Sequence, residues 1–450
     1  MLFPLRLTPF EEYMLLDDQP AYPMSCFFML KLRGKFNVSV FESVFQQALK
    51  NHPLLTSSVT ETNGQFYWQN TEKMPEVVRL PLDEERRFPA SKGINLFCEP
   101  ALKVTICNKN ADPAEVELDG QTNIIFEIHH SASDAAGLLR CVEDILCGYA
   151  GQTGFADVPK KPVETALLVR RGTFKLDWHN TIRTLPKQFW GIFRAWKFLM
   201  NRIIPITPKK PDRDAQIPPA DYPAILHWDL TAAQTQSVRQ KGKQLGITIN
   251  DLFLCSAFFA MKHWQEQHVT GKKSGTLRIA VPINLRTPAD DRMPAANIVS
   301  MVFLDRKPDT IQQTESFYQE VYREMQHIKR CNLGWAFIHG LTVYCRIFGS
   351  FRKMIQQDRC WTTATVTNLG QVFTDTPLPT REGRIQLDES LELAGVETSP
   401  PVRPWTALGI SMMTYAGCMT INLHYDSGVL TRFDAQSILE SICRCSGVDC

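Results

Sequence analysis

Two adjacent histidines, His129 and His130, end an apolar run (124–128) that has the composition of a buried strand. Asp134 follows four residues after the second histidine. A neutral imidazole is the side chain best suited to accept a proton near neutral pH. The end of a strand can hold such a ring rigidly while the following loop lets it face a cavity. The carboxylate of Asp134 can hydrogen-bond an imidazole or anchor the loop through a cation, so these residues predict a general base.

The same residues allow other interpretations. Neighbouring side chains on a strand point to opposite faces, so His129 and His130 are poorly arranged to bind one metal ion. A second interpretation is that a histidine activates a serine nucleophile, although the sequence has no G-x-S-x-G motif. A purely structural histidine pair stays open as well. Most residues between Ser131 and Gly137 are small, which lets a ligand or a neighbouring backbone come close.

Composition limits the class of protein. The chain has 450 residues, enough for two domains of about 200 residues each. It is 44% hydrophobic and 21% charged with a formal net charge of +2, so nothing indicates nucleic acid as a partner. The 13 cysteines follow no disulfide framework and no signal-peptide pattern is present, which predicts a reduced, cytoplasmic protein. Cys443, Cys445 and Cys450 match no standard zinc spacing, so no bound metal or cofactor is predicted.

One segment suggests contact with a membrane. No uncharged apolar run is long enough to cross a bilayer. The segment 189–206 instead mixes Arg194, Lys197 and Arg202 with aromatic and aliphatic residues, and predicts a basic amphipathic helix. This helix is interpreted either as a surface helix of its own domain or as a peripheral contact with lipid or an apolar substrate.

Prolines between 205 and 223 interrupt regular structure and mark a crossover. The predicted organisation is an N-terminal subdomain (1–185), a crossover with the amphipathic helix (186–222) and a C-terminal subdomain (223–450). Strands and helices alternate in both halves, which predicts the α/β class, with α+β two-layer sandwiches. Helices are predicted at 39–55, 135–149, 231–246, 248–267 and 431–445. Strands are predicted at 27–34, 64–70, 101–109, before His129, and at 224–230, 277–286, 297–306, 363–373, 406–417 and 418–426.

The segment HHSASDAAG resembles the HHxxxDG signature of the condensation-domain and CoA-dependent acyltransferase superfamily. That superfamily includes chloramphenicol acetyltransferase, condensation domains, wax ester synthases and alcohol acetyltransferases. The match departs in spacing, because two alanines separate Asp134 from Gly137. Five further segments resemble the superfamily in its own order: LTPFEEYMLLDDQPAYPM, FQQALKNHPLLTSSV, GITINDLFLCSAFFAM, VPINLRTPADDRMPAANIVSMVFLD, which contains Asn297, and VTNLGQVF.

The resemblance implies two chloramphenicol acetyltransferase-like subdomains in a V with a central tunnel. It implies that His130 is the general base in that tunnel, supported by His129. Asp134 would turn away and pair with Arg286, a structural role that orients the loop. The tunnel and oxyanion candidates are Thr365, Thr367, Asn368 and Gly137. The DFGWG element of plant BAHD acyltransferases is absent, so a member of that type is not expected.

Three functions follow from the resemblance. The first is transfer of an acyl group from acyl-CoA to an alcohol. The second is condensation, with a phosphopantetheine thioester on an acyl carrier protein as donor and an amine or alcohol as acceptor. Lys209, Lys210 and Arg213 are candidates for a basic patch that would receive such an acidic carrier. The third is a non-catalytic binding protein, whose expected mark is a broken motif, whereas here both histidines and the aspartate are present.

Overall fold

The computed structural model describes residues 2–71, 73–110, 112, 114–159, 161–172, 200–269 and 274–448. The helices within these ranges are α1 (Pro9–Asp17), α2 (Val38–Leu49), α3 (Ala135–Gln152), α4 (Ala232–Gln244), α5 (Ile249–His268), α6 (Glu315–Arg330), α7 (Gly334–Phe348), α8 (Arg352–Ile355) and α9 (Arg432–Ser446). The strands of the first half are β1 (Leu5–Arg6), β2 (Ser25–Arg33), β3 (Phe36–Asn37), β4 (Ser57–Thr62), β5 (Gln65–Asn70), β6 (Val77–Pro81), β7 (Leu102–Asn108), β8 (Glu117–Leu118) and β9 (Gln121–His129). Those of the second half are β10 (Ile225–Leu230), β11 (Leu277–Asn284), β12 (Val299–Arg306), β13 (Ala364–Gln371), β14 (Thr380–Arg381), β15 (Arg384–Ile385), β16 (Glu392–Ser399), β17 (Leu408–Tyr415) and β18 (Cys418–Tyr425).

The first half contains a five-stranded sheet in the order β16-β2-β9-β7-β6. Strand β9 is central and antiparallel to both β2 and β7. Helices α2 and α3 cover one face of this sheet, where Phe41, Phe45 and Val142 pack against Phe28 and Phe126. Burial of this apolar layer holds β9 rigidly, and His129 and His130 follow at its end.

The second half contains a six-stranded sheet in the order β10-β18-β17-β13-β11-β12. Its core includes residues of α5, α6 and α9, among them Phe258, Val321 and Ile438. Strand β13 is parallel to both β11 and β17 and therefore lies inside the sheet. Alternating strands and helices in both halves confirm the predicted α/β class.

Strand β16 belongs to the second half of the chain but pairs antiparallel with β2 in the first sheet. The segment predicted as the C-terminal subdomain (223–450) therefore donates a strand to the N-terminal sheet. No strand was predicted there, because Glu392, Gly395 and Glu397 are residue types that strands disfavour. Tertiary pairing overrides this preference, since Lys31 and Arg87 both pair with the buried carboxylate of Glu397.

Most of the predicted amphipathic helix, residues 189–199, lies outside the described residues. At its C-terminal end, Ile204 and Ile206 are buried in the core of the second half. These two side chains therefore face protein rather than lipid. Within the described ranges no single helix is long and apolar enough to cross a membrane, and α4 and α5, which pass that test only together, meet at 93°.

Candidate active site

A cavity of about 1050 Å³ lies between the two halves of the chain. The first half contributes His130, Asp134 and residues of α1 to its wall. The second half contributes Arg286, residues of β11 to β13 and one face of α7. Apolar pockets with a few converging polar groups are the usual sites for small ligands, so this cavity is the candidate active site.

His130 lies on the cavity wall at the end of β9, with a partly buried side chain. Its amide N–H donates to Met24 O at 2.8 Å, which fixes the backbone. Its ring Nδ1 lies 3.1 Å from Ser133 O. Because a carbonyl oxygen can only accept, Nδ1 must carry the hydrogen and Nε2 must carry the lone pair. The structure therefore favours the tautomer that a general base requires.

The surroundings of His130 also favour the neutral ring. Burial lowers the pKa of His130 from its ordinary value of 6.5. The hydrogen bond to Ser133 O and the negative charge of Asp134 raise this pKa, but they do not outweigh burial. An imidazole that is unprotonated at neutral pH can accept a proton from a substrate.

Asp134 does not hydrogen-bond the imidazole. It caps helix α3, and its Oδ1 accepts the amide N–H of Gly137 at 2.8 Å. Its Oδ2 accepts from Arg286 Nη1 at 2.8 Å and from the amide N–H of Ile298 at 2.7 Å. Three donors hold this buried carboxylate, and two of them tie the loop after His130 to the second half of the chain.

Residues 295–298, here called the strap, form a backbone bridge across the histidine loop. Ala296 O accepts from Arg286 Nη2 at 2.8 Å and from the amide N–H of Asp134 at 3.3 Å. The Asn297 side chain donates to His130 O at 2.7 Å. Three consecutive residues of the strap, from Ala296 to Ile298, thus hold the backbone around the candidate base.

His52 holds the other end of the strap. Its Nδ1 accepts the amide N–H of Ala295 at 2.9 Å, so the hydrogen of the neutral ring is on Nε2. Nε2 lies 3.0 Å from Asp144 Oδ2, on helix α3. Sequence reasoning did not assign a role to His52, although it lies in the quoted segment FQQALKNHPLLTSSV. The single histidine beside the apolar residues of that segment was the signal available.

His129 points away from the candidate chemistry and is fully buried. Its Nδ1 accepts the amide N–H of Ser131 at 3.2 Å, which shapes the turn after the strand. Its Nε2 lies 3.7 Å from Asp18 Oδ2 and has no hydrogen-bond partner within the described ranges. The expected supporting role of His129 is therefore one of shaping the turn.

Gly137 was expected as a tunnel or oxyanion residue, but its amide is already donated to Asp134 Oδ1. A Cβ at this position would lie 2.4 Å from Ser133 Oγ and 2.8 Å from both N and O of Ala296. Only glycine lets the strap approach α3 so closely. The structure therefore places Gly137 in the packing beneath the site.

Thr365, Thr367 and Asn368 all line the cavity, on strand β13. Thr365 and Thr367 share one face of the strand, while Val366 between them is buried in the core. Asn368 Oδ1 accepts the amide N–H of Gly370 at 2.8 Å, which leaves its side-chain amide hydrogens to serve as donors. The second half therefore offers two hydroxyl groups and one amide to a bound substrate.

The three cations considered as a carrier patch differ in their surroundings. Arg213 lines the cavity, and its guanidinium donates to Ile355 O at 2.9 Å and to Gln357 O at 3.1 Å. Lys210 is exposed and forms an ion pair with Asp358 at 2.8 Å. Lys209 is exposed too. No group of three or more His, Cys, Asp or Glu side chains in the described ranges could hold a metal ion.

Comparison with known proteins shows distant similarity in sequence and close similarity in fold. No protein-family model matches the chain. Two uncharacterized proteins of Mycobacterium tuberculosis, from strains CDC 1551 and H37Rv, are each 20% identical over 322 residues. Each alignment covers 69% of this chain and 68% of the relative.

Solved structures match nearly the whole chain. Trichothecene 15-O-acetyltransferase from Fusarium sporotrichioides has a TM-score of 0.68 at 13% identity, covering 98% of this chain and 94% of that one. The first condensation domain of the calcium-dependent antibiotic synthetase has a TM-score of 0.68 at 13% identity, with 98% and 95% covered. The starter condensation domain of rhizomide synthetase, in complex with C8-CoA and Leu-SNAC, has a TM-score of 0.66 at 11% identity, with 98% and 94% covered.

These matches define the class of fold. The chain has the two-subdomain, chloramphenicol acetyltransferase-like fold of condensation domains and acyltransferases. The fold implied by the sequence resemblance is confirmed.

Proposed function

We propose that this protein is an acyltransferase that moves an acyl group from acyl-CoA to an alcohol, with His130 as the general base. The observation that carries the proposal is the hydrogen bond between His130 Nδ1 and Ser133 O on the wall of the cavity between the halves. It gives Nε2 the lone pair, and burial keeps the ring neutral. The acetyltransferase and condensation domains that share the fold support the same class of reaction.

The proposed reaction needs no acyl-enzyme. The acceptor hydroxyl gives its proton to His130 Nε2 as its oxygen attacks the thioester carbonyl. When the tetrahedral intermediate collapses, the carbon–sulfur bond breaks and the thiolate takes the proton back from Nε2. Holding both substrates in one cavity removes the entropy penalty of a bimolecular attack. Proton transfer by a positioned histidine contributes about a hundred- to ten-thousandfold in rate.

The oxyanion of the intermediate needs hydrogen-bond donors in a dry site. Thr365, Thr367 and Asn368 are the candidates, because all three line the cavity from β13. Asn368 is preferred among them, since its Oδ1 already accepts from the Gly370 amide and its side-chain N–H groups are left to donate. Arg286 is engaged by Asp134 and Ala296 and is assigned to the structure of the loop.

The donor is proposed to be a CoA thioester, because a condensation domain of the same fold has been solved with C8-CoA. The second candidate is a phosphopantetheine thioester on a carrier protein, with an amine or alcohol acceptor. Condensation domains among the structural neighbours favour it. Either donor is a co-substrate, and the proposed chemistry requires no resident cofactor.

The test is a thiol-release assay with acetyl-, octanoyl- and palmitoyl-CoA against pooled alcohols and pooled amines. We expect acceptor-dependent thiol release that falls by about a hundredfold or more in His130→Ala. The matched control is His263→Ala, because His263 is an exposed histidine on α5 whose ring contacts Gln267. Full activity in folded His130→Ala protein would overturn the mechanism. The assay is repeated with acylated carrier protein as the donor. Thiol release from this donor but from no acyl-CoA would establish the second candidate instead.

A further inference from the structure

One part of the cavity wall is mainly apolar, although α1 also brings Tyr13 and Asp17 to the cavity. Helix α1 contributes Phe10 and Met14, and α7 contributes Phe337 and Leu341. We call the part of the cavity that these four residues line the apolar arm. The rings of Phe10 and Phe337 meet edge to face at 5.7 Å, so the wall is closed by aromatic packing between the two helices.

The apolar arm is connected to the candidate base. The Asn297 side chain donates to His130 O at 2.7 Å and lies 3.1 Å from Met14 Sδ. Met14 in turn lines the cavity, as His130 does. A substrate whose reacting atom lies beside His130 can therefore extend along α1 into the arm.

Gly340 lies in the middle of α7 and lines the same cavity. A Cβ added there would find no heavy atom of the described residues within 4 Å. Its backbone is not among the positive-φ glycines, so neither conformation nor packing against the described residues requires glycine here. Glycine inside a helix is unfavourable relative to alanine. What the missing side chain leaves is room in the cavity.

We propose that the apolar arm binds a long, linear aliphatic chain of a substrate, and that Gly340 sets the length of chain that fits. The inference rests on the proposed acyltransferase function and names the class of substrate. The chain belongs either to the acyl group of the donor or to the alkyl group of the alcohol. Both sources have the same chemistry, and the experiment separates them.

The experiment measures kcat/KM in two series with the full-length protein. One series varies the acyl-CoA from acetyl to octanoyl to palmitoyl at a fixed alcohol. The other varies the alcohol from ethanol to octanol to hexadecanol at a fixed acyl-CoA. We expect kcat/KM to rise along one series, by up to roughly fourfold per methylene until the diffusion limit is reached, because each methylene leaves water for an apolar wall. The series that shows the rise identifies the substrate that occupies the arm.

Gly340→Leu is expected to remove this rise beyond short chains while the shortest substrates keep their kcat/KM. The matched control is His339→Leu, which places the same side chain on α7 at a neighbouring position outside the cavity lining. Gly340→Ala checks that the helix tolerates a side chain. Flat length dependence in both series, or equal effects of leucine at 339 and 340, would overturn the proposal.

A binding measurement separates this inference from the proposed function. The fluorescence of cis-parinaric acid, a linear fatty acid, is measured with wild-type, Gly340→Leu and His339→Leu proteins. We expect at least about tenfold weaker binding only in Gly340→Leu, since two methylenes of lost contact correspond to roughly that factor. If binding weakens only in Gly340→Leu but no thioester is turned over, the proposed role of the apolar arm is supported and acyl transfer is rejected. Turnover of short substrates without selective binding would retain acyl transfer and reject the arm.

Discussion

Asp134 and Arg286 are joined across the two halves of the protein by an ion pair of 2.8 Å. Neither side chain is more than 18% exposed. The same carboxylate oxygen accepts the Ile298 amide, and the guanidinium also donates to Ala296 O. The pair therefore fixes the strap to the loop that carries His130, and it acts on the chemistry through the position of that loop and through the charge of Asp134.

Arg286→Ala should lower the free energy of unfolding by about 3 kcal/mol, because it leaves a buried carboxylate without its counter-charge. Activity should fall in the same variant, since the His130 loop loses its attachment to the second half. Urea unfolding and the thiol-release assay measure the two effects. The control is Arg292→Ala, which breaks an exposed ion pair with Glu164 and should change stability by only about 0–1 kcal/mol. Normal melting together with normal turnover of Arg286→Ala would remove the structural role of the pair.

The pH dependence of catalysis should carry the signature of a histidine with a lowered pKa. Below that pKa His130 is protonated and kcat/KM should fall about tenfold per pH unit. Because burial lowers the pKa from 6.5, more than half of the plateau activity should remain at pH 6.5. Asp134→Asn removes a charge that raises the pKa and should move the acidic limb to still lower pH. A limb centred at or above 6.5 for an alcohol acceptor would contradict the assignment.

The lowered pKa of His130 also makes the free energy of unfolding depend on pH. The folded protein holds His130 neutral at pH values where the unfolded chain has begun to bind a proton. Stability contributed by this group should therefore rise with pH between the folded pKa and 6.5, and be fully present above 6.5. Urea unfolding of wild-type and His130→Ala proteins across this range isolates the contribution. If the unfolding free energies of both proteins depend on pH in the same way, His130 does not make this contribution.

Sequence reasoning located the elements around the base but not the contacts that hold it. Strand β9 follows from an apolar run, and a helix was predicted at 135–149; that Asp134 is the N-cap of this helix is shown by the structure. The resemblance supplied Arg286 as a partner of Asp134. The strap could not be predicted, because several of its contacts join residues more than a hundred positions apart, as between the Ile298 amide and the Asp134 carboxylate.

Helix α7 could not be predicted from the sequence for a different reason. Its sequence is apolar on most sides and contains Gly334 and Gly340, so no helical period was recognised. Tertiary packing of Ile338 and Leu341 against the core at the interface stabilises the helix despite its glycines. The apolar arm depends on this packing and could therefore not be predicted from the sequence.

His52→Leu should destabilise the protein by about 1–3 kcal/mol per unpaired group, because the Ala295 amide and the Asp144 carboxylate both lose a buried partner. His52→Gln keeps one acceptor and one donor and should restore part of the loss. Unfolding free energies and kcat for both variants test this. If His52 positions the strap, kcat should fall in His52→Leu and recover in His52→Gln, with little change in KM. Equal stability and kcat in all three proteins would exclude the role.

Two glycines should respond to alanine in opposite directions. Gly137→Ala forces a Cβ to within 2.8 Å of the Ala296 backbone and should destabilise the protein by about 1–3 kcal/mol. Gly340→Ala places its Cβ in open space within a helix and should stabilise it by about 1 kcal/mol. Each substitution adds one methyl group to a helical glycine, so each is the control for the other in a thermal-unfolding experiment. Equal melting temperatures of the two variants would show that the strap moves to accommodate the methyl group added at Gly137. The close approach at Gly137 would then not be what holds the loop of His130 in place.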